Sequence, residues 1–330
     1  MKALWPFLVV IMLVVLVFIG VKGLNLDILF GIIIPYVAAF IFMAGVISRV
    51  VQWGRSPVPF RIPTTCGQQK SLPWIRQNKL ENPSNTLEVI GRMALDVLLF
   101  RSLFRNTQTE LRDGPHLAHG SKKWLWLGAL AFHWSFFIIL IRHLRLFVEP
   151  VPAALNLISR LDGFLQVGAP VLYLSGIVLP AAATYLLIRR ILEPRIRYIS
   201  LPADYFPLFL IIGIAISGIL MRYFTKVEVI NLKAFMIGMF HFQPVIPSGA
   251  GSLFYIHLFL VSVLLAYFPF SKLMHMGGVF FSPARNMANN NRMQRHINPW
   301  DYPVKVHTYE EYEDDFRDKM RKAGIPVEKA

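Results

Sequence analysis

Four histidines lie in or beside stretches too apolar to solvate them: His133 and His143 within residues 124–147, and His257 and His275 in and just beyond the last apolar run, 253–270. His133 falls about nine residues into its stretch, roughly 14 Å deep at about 1.5 Å per residue. An imidazole at that depth needs a partner. A hydrogen bond across helices is one ordinary remedy. Four imidazoles paired on two segments suit another, in which one histidine from each of two facing helices ligates a haem iron held between them. The single cysteine, Cys66, excludes an intramolecular disulfide, a cysteine-ligated iron–sulfur cluster and a C-x-x-C-H attachment site for c-type haem. Haem in this chain is therefore expected to be non-covalent.

The segments that must carry these rings read as membrane spans. Of 330 residues, 55% are hydrophobic and 16% charged, with a mean hydropathy of +0.49. Such a balance belongs to an integral membrane protein. The formal charge of +15 sits beside apolar runs, where it sets orientation and does not mark nucleic-acid binding. Six spans are expected, at 4–21, 28–51, 124–147, 163–188, 205–223 and 253–270, the last continuing past Pro269 to 276. The fold class is an all-α integral membrane protein, a haem-binding bundle of six transmembrane helices.

Four regions follow. Residues 1–52 form an N-terminal transmembrane hairpin, whose first run reads as a retained anchor and not a cleaved signal. Residues 53–123 form a basic loop with eleven Lys or Arg against five Asp or Glu. Within it, Asn85 followed by Glu88 predicts a capped amphipathic helix over roughly 84–106, with Arg92, Arg101 and Arg105 kept wet. Residues 124–276 form the four-helix core that would hold two haems. Residues 277–330 are a tail, with a charged helix expected over 310–322. Basic loops after the second and fourth spans place both termini in the cytoplasm and the chain in the cytoplasmic membrane, in contact with lipid.

On this topology the third and sixth spans run antiparallel, so the early histidine of one meets the late histidine of the other. His133 pairs with His275 on the inner side, and His143 with His257 on the outer side. Gly128, Ala129, Ala131 and Ala266 would let a flat ring approach the backbone. The spacings differ, however: ten residues along a straight helix cover roughly 15 Å and eighteen roughly 27 Å. A bend at Pro269 and unequal tilts would absorb part of the difference.

Other residues offer less specific chemistry. Arg142 and Arg145 flank His143, placed to pair with haem propionates or to snorkel to headgroups. Arg160 and Asp162 open the fourth span from outside and, with His241 in the outer loop, are candidates for contact with a quinone. His116 and His119 stand at i, i+3, a metal-ligand spacing if the segment is helical, but no third ligand is evident. Arg285, Arg292, Arg295 and His296 in the tail read as a docking surface for a soluble partner. No residue set suggests a catalytic group of its own.

The ten-residue and eighteen-residue histidine spacings, Arg142-His143 followed by Pro150, and the double arginine 189–190 resemble the cytochrome b (gamma) subunits of membrane-bound respiratory nitrate reductases over about 120–280. The extra first span and the tail SPARNMANNNRMQRHINPW look instead like the DsrM family, the cytochrome b membrane subunits of DsrMKJOP complexes of sulfate reducers. That resemblance implies two haem b groups, menaquinol or menaquinone as exchangeable substrate, and oxidation of quinol near the outer haem. It also implies a cytoplasmic iron–sulfur partner, DsrK-like and related to heterodisulfide reductases, which passes electrons toward the sulfur carrier DsrC in sulfate respiration. DsrJ-, DsrO- and DsrP-like subunits would complete the complex. Within the class, the cytochrome b subunits of nitrate reductase and heterodisulfide reductase are alternatives. Outside it, a transporter or channel would prefer discontinuous spans with charged midplane residues, and a purely structural anchor would leave the histidines unexplained.

Overall fold

The computed structural model describes residues 2–56, 58, 61–62, 67–114, 116–166, 170–247, 249–297, 303 and 306–329. Cys66, Pro57, Pro59, Pro63, Pro115 and the tail positions 298–302 lie outside the described residues. Two helices open the chain, α1 (Leu4–Leu24) and α2 (Ile34–Gly54), the second preceded by a π-helical turn, Leu29–Ile33. Asn25 makes the tight reversal at φ 51°, a left-handed conformation that asparagine tolerates better than most residues. The polar region holds α3 (Thr86–Leu98), α4 (Arg101–Phe104) and a hairpin of β1 (Thr107–Arg112) with β2 (His116–Ser121). Then come α5 (Lys123–His143), α6 (Ala153–Asp162), the short strands β3 (Gly163–Leu165) and β4 (Leu172–Tyr173), and α7 (Leu174–Leu192). The chain continues through α8 (Pro194–Ile199), α9 (Pro202–Ile219), α10 (Val229–Phe240), α11 (Ser252–Tyr267), α12 (His275–Phe281) and α13 (Tyr309–Lys322).

Among the described residues six helical segments are long and apolar enough to cross a membrane: Leu4–Leu24, Leu29–Gly54, Lys123–Leu146, Leu174–Leu192, Pro202–Phe224 and Ser252–Phe270. Val10, Val17 and Val21 of α1 join Phe30, Leu210 of α9, Phe235 of α10 and Phe254, Tyr255 and Leu260 of α11 in one buried cluster. The N-terminal hairpin is thus part of the same core as the later spans. Helix α5 packs closely on α7 and α7 on α9, while α11 packs on α1, α2 and α9. Helices α5 and α11 meet through the rings of His143 and His257. Gly128 makes the α5–α7 contact possible, because a Cβ there would lie 2.4 Å from the Tyr185 ring. Its small size, expected to serve a cofactor, is taken up by that tyrosine.

Several boundaries differ from expectation for identifiable reasons. The fourth span starts at Leu174, not at 163: Gly163 is extended, β3 pairs with β4, and the Asp162 carboxylate caps the new helix by accepting from Ser175 N at 2.8 Å. The α-helix of the last span stops at Tyr267. Pro269, which has no N–H to give, lies in a 3-10 turn, and His275 opens a separate helix, α12. Eighteen residues between His257 and His275 therefore do not measure one straight helix. The amphipathic helix breaks at residues 99–100, where Phe100 takes φ 51°. His116 and His119 lie on a strand, where a spacing of three puts side chains on opposite faces. His119 instead faces Thr109 across the hairpin at 3.3 Å.

The polar region and the tail form one lobe. Arg92, expected in water, is buried and donates to the Glu81 carbonyl at 2.8 Å. Arg101 and Arg105 converge on the Glu81 carboxylate. Asp96, also buried, accepts from Ser102 N and Oγ and from Arg285 at 3.0 Å. Asn289 donates from its backbone to Pro83 O at 2.6 Å and from its side chain to Asn82 at 2.8 Å. The unusual composition around residues 282–291 is that of a clasp across the loop.

Helix α13 carries the expected charge pattern, opened by a capping box between Thr308 and Glu311. Its buried Glu313 accepts from the backbone N–H groups of Glu328 (2.7 Å) and Lys329 (2.8 Å), folding the C-terminal residues back onto the helix. Those two donors first, and then Arg317, hold the Glu313 carboxyl below its ordinary value of 4.5. A depressed carboxyl stabilises the fold above its ordinary pKa and loses that contribution as the pH falls through the folded value. Amide exchange at Glu328 and Lys329, corrected for intrinsic rate, is therefore expected to accelerate as the pH is lowered below 4.5, and Glu313→Gln should abolish the step. Protection independent of pH would contradict this role for Glu313.

Candidate functional site

The four histidines meet in two pairs between α5 and the α11–α12 segment. The rings of His133 and His275 are 5.9 Å apart between centroids, and those of His143 and His257 are 6.5 Å apart. In every ring Nδ1 is engaged by a neighbouring oxygen. His133 and His143 contact the carbonyls one turn back, Ala129 O and Ile139 O, both at 2.7 Å. His275 contacts Lys272 O at 2.7 Å, and His257 contacts Ser217 Oγ at 2.9 Å. A carbonyl only accepts, so the proton of the neutral imidazole must sit on Nδ1. Ser217 gives its own proton to Ile214 O at 3.0 Å and is left to accept from His257. All four Nε2 atoms are thereby left as free lone pairs.

This is the arrangement in which metal-bound histidines are usually held, one nitrogen oriented by an outer partner and the other free to ligate. An imidazole nitrogen binds a metal at about 2 Å. With about 1 Å more from nitrogen to ring centre on each side, two axial rings stand roughly 6 Å apart, close to both separations. No group of three or more His, Cys, Asp or Glu that could hold a bare metal ion occurs among the described residues. Two imidazoles suffice only when the other donors come with the metal, as the four nitrogens of a porphyrin do. The donor set and both ring separations fit haem. His241 makes the same backbone contact, to Ile237 O at 2.9 Å, but its ring contact is Phe240, and it pairs with no second imidazole among the described residues.

Phe100 stands edge-on to His133 at 4.9 Å. It is held there by the break after α3, whose carbonyls Leu98 O and Leu99 O accept from the indoles of Trp134 (2.9 Å) and Trp126 (2.7 Å). The lobe of loop and tail thus reaches the inner pair directly.

At the outer end, Arg142 donates to Asp162 at 2.7 Å and to Ser175 at 3.2 Å. Asp162 is buried, and the Arg142 side chain is 12% exposed. Arg142 also lies 3.2 Å from the centre of the Tyr173 ring. Arg145 sits in the turn after α5 and has no ion pair among the described residues. Arg160 is exposed and lines a cleft of about 680 Å³ with Asn156, Phe164, Val171 and Tyr173. In the tail, Arg292, Arg295 and His296 are exposed, whereas Arg285 is tied to Asp96. Ser217, Tyr173, Ser175, Phe100 and Arg222 were not singled out as site residues by sequence reasoning. Nothing local marks them, since each acts on a partner dozens of residues away.

The profile of the nitrate reductase gamma subunit family matches residues 95–296. The Hdr-like menaquinol oxidoreductase cytochrome b-like subunit of Archaeoglobus fulgidus is 44% identical over 283 residues, covering 84% of each chain. The protein of the same description from Archaeoglobus profundus is 43% identical over 275 residues, covering 81% of each.

Proposed function

This chain belongs to the nitrate reductase gamma subunit family, together with the cytochrome b-like subunits of Hdr-like menaquinol oxidoreductases, and on that premise we propose that it is a dihaem b subunit of the DsrM type. Its role is to move electrons between menaquinol and a cytoplasmic iron–sulfur partner. The observation that carries this reading is the meeting of four imidazoles in two pairs with every Nδ1 engaged. A bis-imidazole haem b takes up and releases single electrons without needing any further ligand.

His133 and His275 would hold the inner group, and His143 and His257 the outer one. Ser217 fixes the His257 ring, and the backbone carbonyls fix the other three. Arg142 and Arg145, which flank His143 in the chain, would pair with the carboxylates of the outer group. The cleft lined by Arg160 and Tyr173 would take the quinol headgroup, and Asp162, two residues beyond Arg160, is the candidate proton acceptor. Asp162 already accepts from Arg142 and Ser175, and a proton taken up there, on the Oδ1 lone pair those bonds leave, would remove the negative charge that pairs with Arg142. His241, exposed at the end of α10, is a further candidate contact. On the cytoplasmic side Arg292, Arg295 and His296 offer a positive surface to a DsrK-like partner, with DsrJ-, DsrO- and DsrP-like subunits completing the complex. Basic loops orient the chain in the cytoplasmic membrane with both termini inside.

Anaerobic addition of a menaquinol analogue to the purified protein is expected to produce the spectrum of reduced haem b. Protein without haem, or haem that the quinol leaves oxidised, would overturn the proposal. Arg160→Ala is expected to raise the apparent KM for the analogue about fivefold, the equivalent of one exposed hydrogen bond of about 1 kcal/mol, with haem content unchanged. An unaltered KM would remove Arg160 from the site.

A further inference from the structure

Two guanidiniums share one aromatic ring at the outer end of the bundle. Arg142 Cζ lies 3.2 Å and Arg222 Cζ 4.4 Å from the centre of the Tyr173 ring. Arg142 has its counter-ion in Asp162. Arg222 has none among the described residues: its polar contact is a bond from Nη2 to Val171 O at 3.2 Å, and its Nε, like that of Arg142, is buried without an acceptor. The cluster therefore holds two cations and one carboxylate, with two buried donors unsatisfied. An uncompensated charge of this kind, at the edge of a membrane bundle, calls for an anion.

The position of the cluster says which anion. Arg142 is the neighbour of His143. Arg222 lies one turn beyond Gly218, where a Cβ would come within 3.2 Å of the His257 ring, and just past Ser217, which holds His257 Nδ1 at 2.9 Å. Arg142 is thus on the helix that carries His143, and Arg222 follows directly on α9, the helix that supplies the Ser217 contact to His257. Haem b carries two carboxylates at one edge of its ring. We propose that Arg222, together with Arg142, forms a carboxylate site for the haem bound between His143 and His257. This inference rests on the bis-histidine reading and adds to it a residue that fixes the rotation of the ring in its plane. A lipid phosphate is the other anion available at this depth. Burial of both Nε atoms and stacking on Tyr173 favour a ligand approached from inside the bundle.

A positive charge beside the ring favours the reduced iron, which carries one charge fewer, so its removal should lower the midpoint potential of that haem alone. The test is an equilibrium redox titration of the full-length protein with Arg222→Gln and Arg222→Lys, the outer haem being identified as the one missing from His143→Ala. The expected result is a lowered outer potential in Arg222→Gln, an unchanged inner potential, and restoration by Arg222→Lys. The charge acts on the iron through space whether or not the porphyrin has carboxylates, so the ester control reads binding: Arg222→Gln should weaken retention of haem b but not of haem dimethyl ester, which has no carboxylates. Unchanged potentials overturn the inference, as does a binding loss that persists with the ester. Loss of tightly bound phospholipid phosphorus with unchanged potentials assigns Arg222 to lipid and overturns it too. Wild-type protein without haem sinks the bis-histidine reading itself, a result distinct from all of these.

Discussion

His257→Ala is expected to remove one of two haems and leave the other in place. The substitution deletes a ligand from a site that has only two, and the His143 ring 6.5 Å away cannot close on the iron from both sides. The inner pair should survive, because ten residues separate His133 from His143 along α5, roughly 15 Å of helix. The same argument predicts that His133→Ala removes the inner haem and spares the outer one. Haem per chain, measured as the pyridine complex, should fall by half in either variant and nearly to zero in the double variant. Full haem content in both single variants would show that the iron is held elsewhere. Ser217→Ala is the graded form of the experiment. It keeps the ligand but removes the group that orients it, for which a loss of about 10–100-fold in metal-site affinity is typical.

Asp162→Ala is expected to be the most destabilising single change at the outer end. It leaves Arg142, 12% exposed, without its counter-ion and strips the N-terminus of α7 of the acceptor for Ser175 N. Removing one member of a buried pair typically costs about 3–5 kcal/mol, mostly because the surviving charge is stranded. The temperature at which detergent-solubilised protein releases its haem should drop clearly. Asp162→Asn, which still accepts from Ser175 N, should drop it less. The double change Arg142→Met with Asp162→Leu should recover much of the loss, since no charge is then stranded. If Asp162→Ala released haem no earlier than wild type, the pair would be of little structural consequence.

Much of the frame was legible because its causes are local. The six spans follow from runs of apolar side chains, and the start of α3 from Asn85, whose Oδ1 accepts from Glu88 N at 3.0 Å. The four histidines drew notice because imidazoles are rare in hydrocarbon. The beginning of α7 was misplaced because hydropathy does not distinguish an apolar strand pair from an apolar helix. Arg92 was misjudged because an arginine on a helix reads as solvated until a carbonyl, here Glu81 O, is folded over it. The mismatch between the two histidine spacings came from measuring eighteen residues along one straight helix, and a bend at Pro269 was expected to absorb only part of it. The chain stops its helix there and starts another at His275.

By itself, then, the sequence determined which segments enter the membrane and that four imidazoles go with them, since burial of apolar side chains and the cost of a polar ring are properties of short stretches. Only the tertiary structure decided what those rings and the nearby charges meet. Ser217 reaches His257 across 40 residues, Arg142 reaches Asp162 across 20, and Asp96 reaches Arg285 across 189. Such pairings are fixed by how helices pack and where they break, and side-chain packing between distant segments leaves no period along the chain from which they could be read.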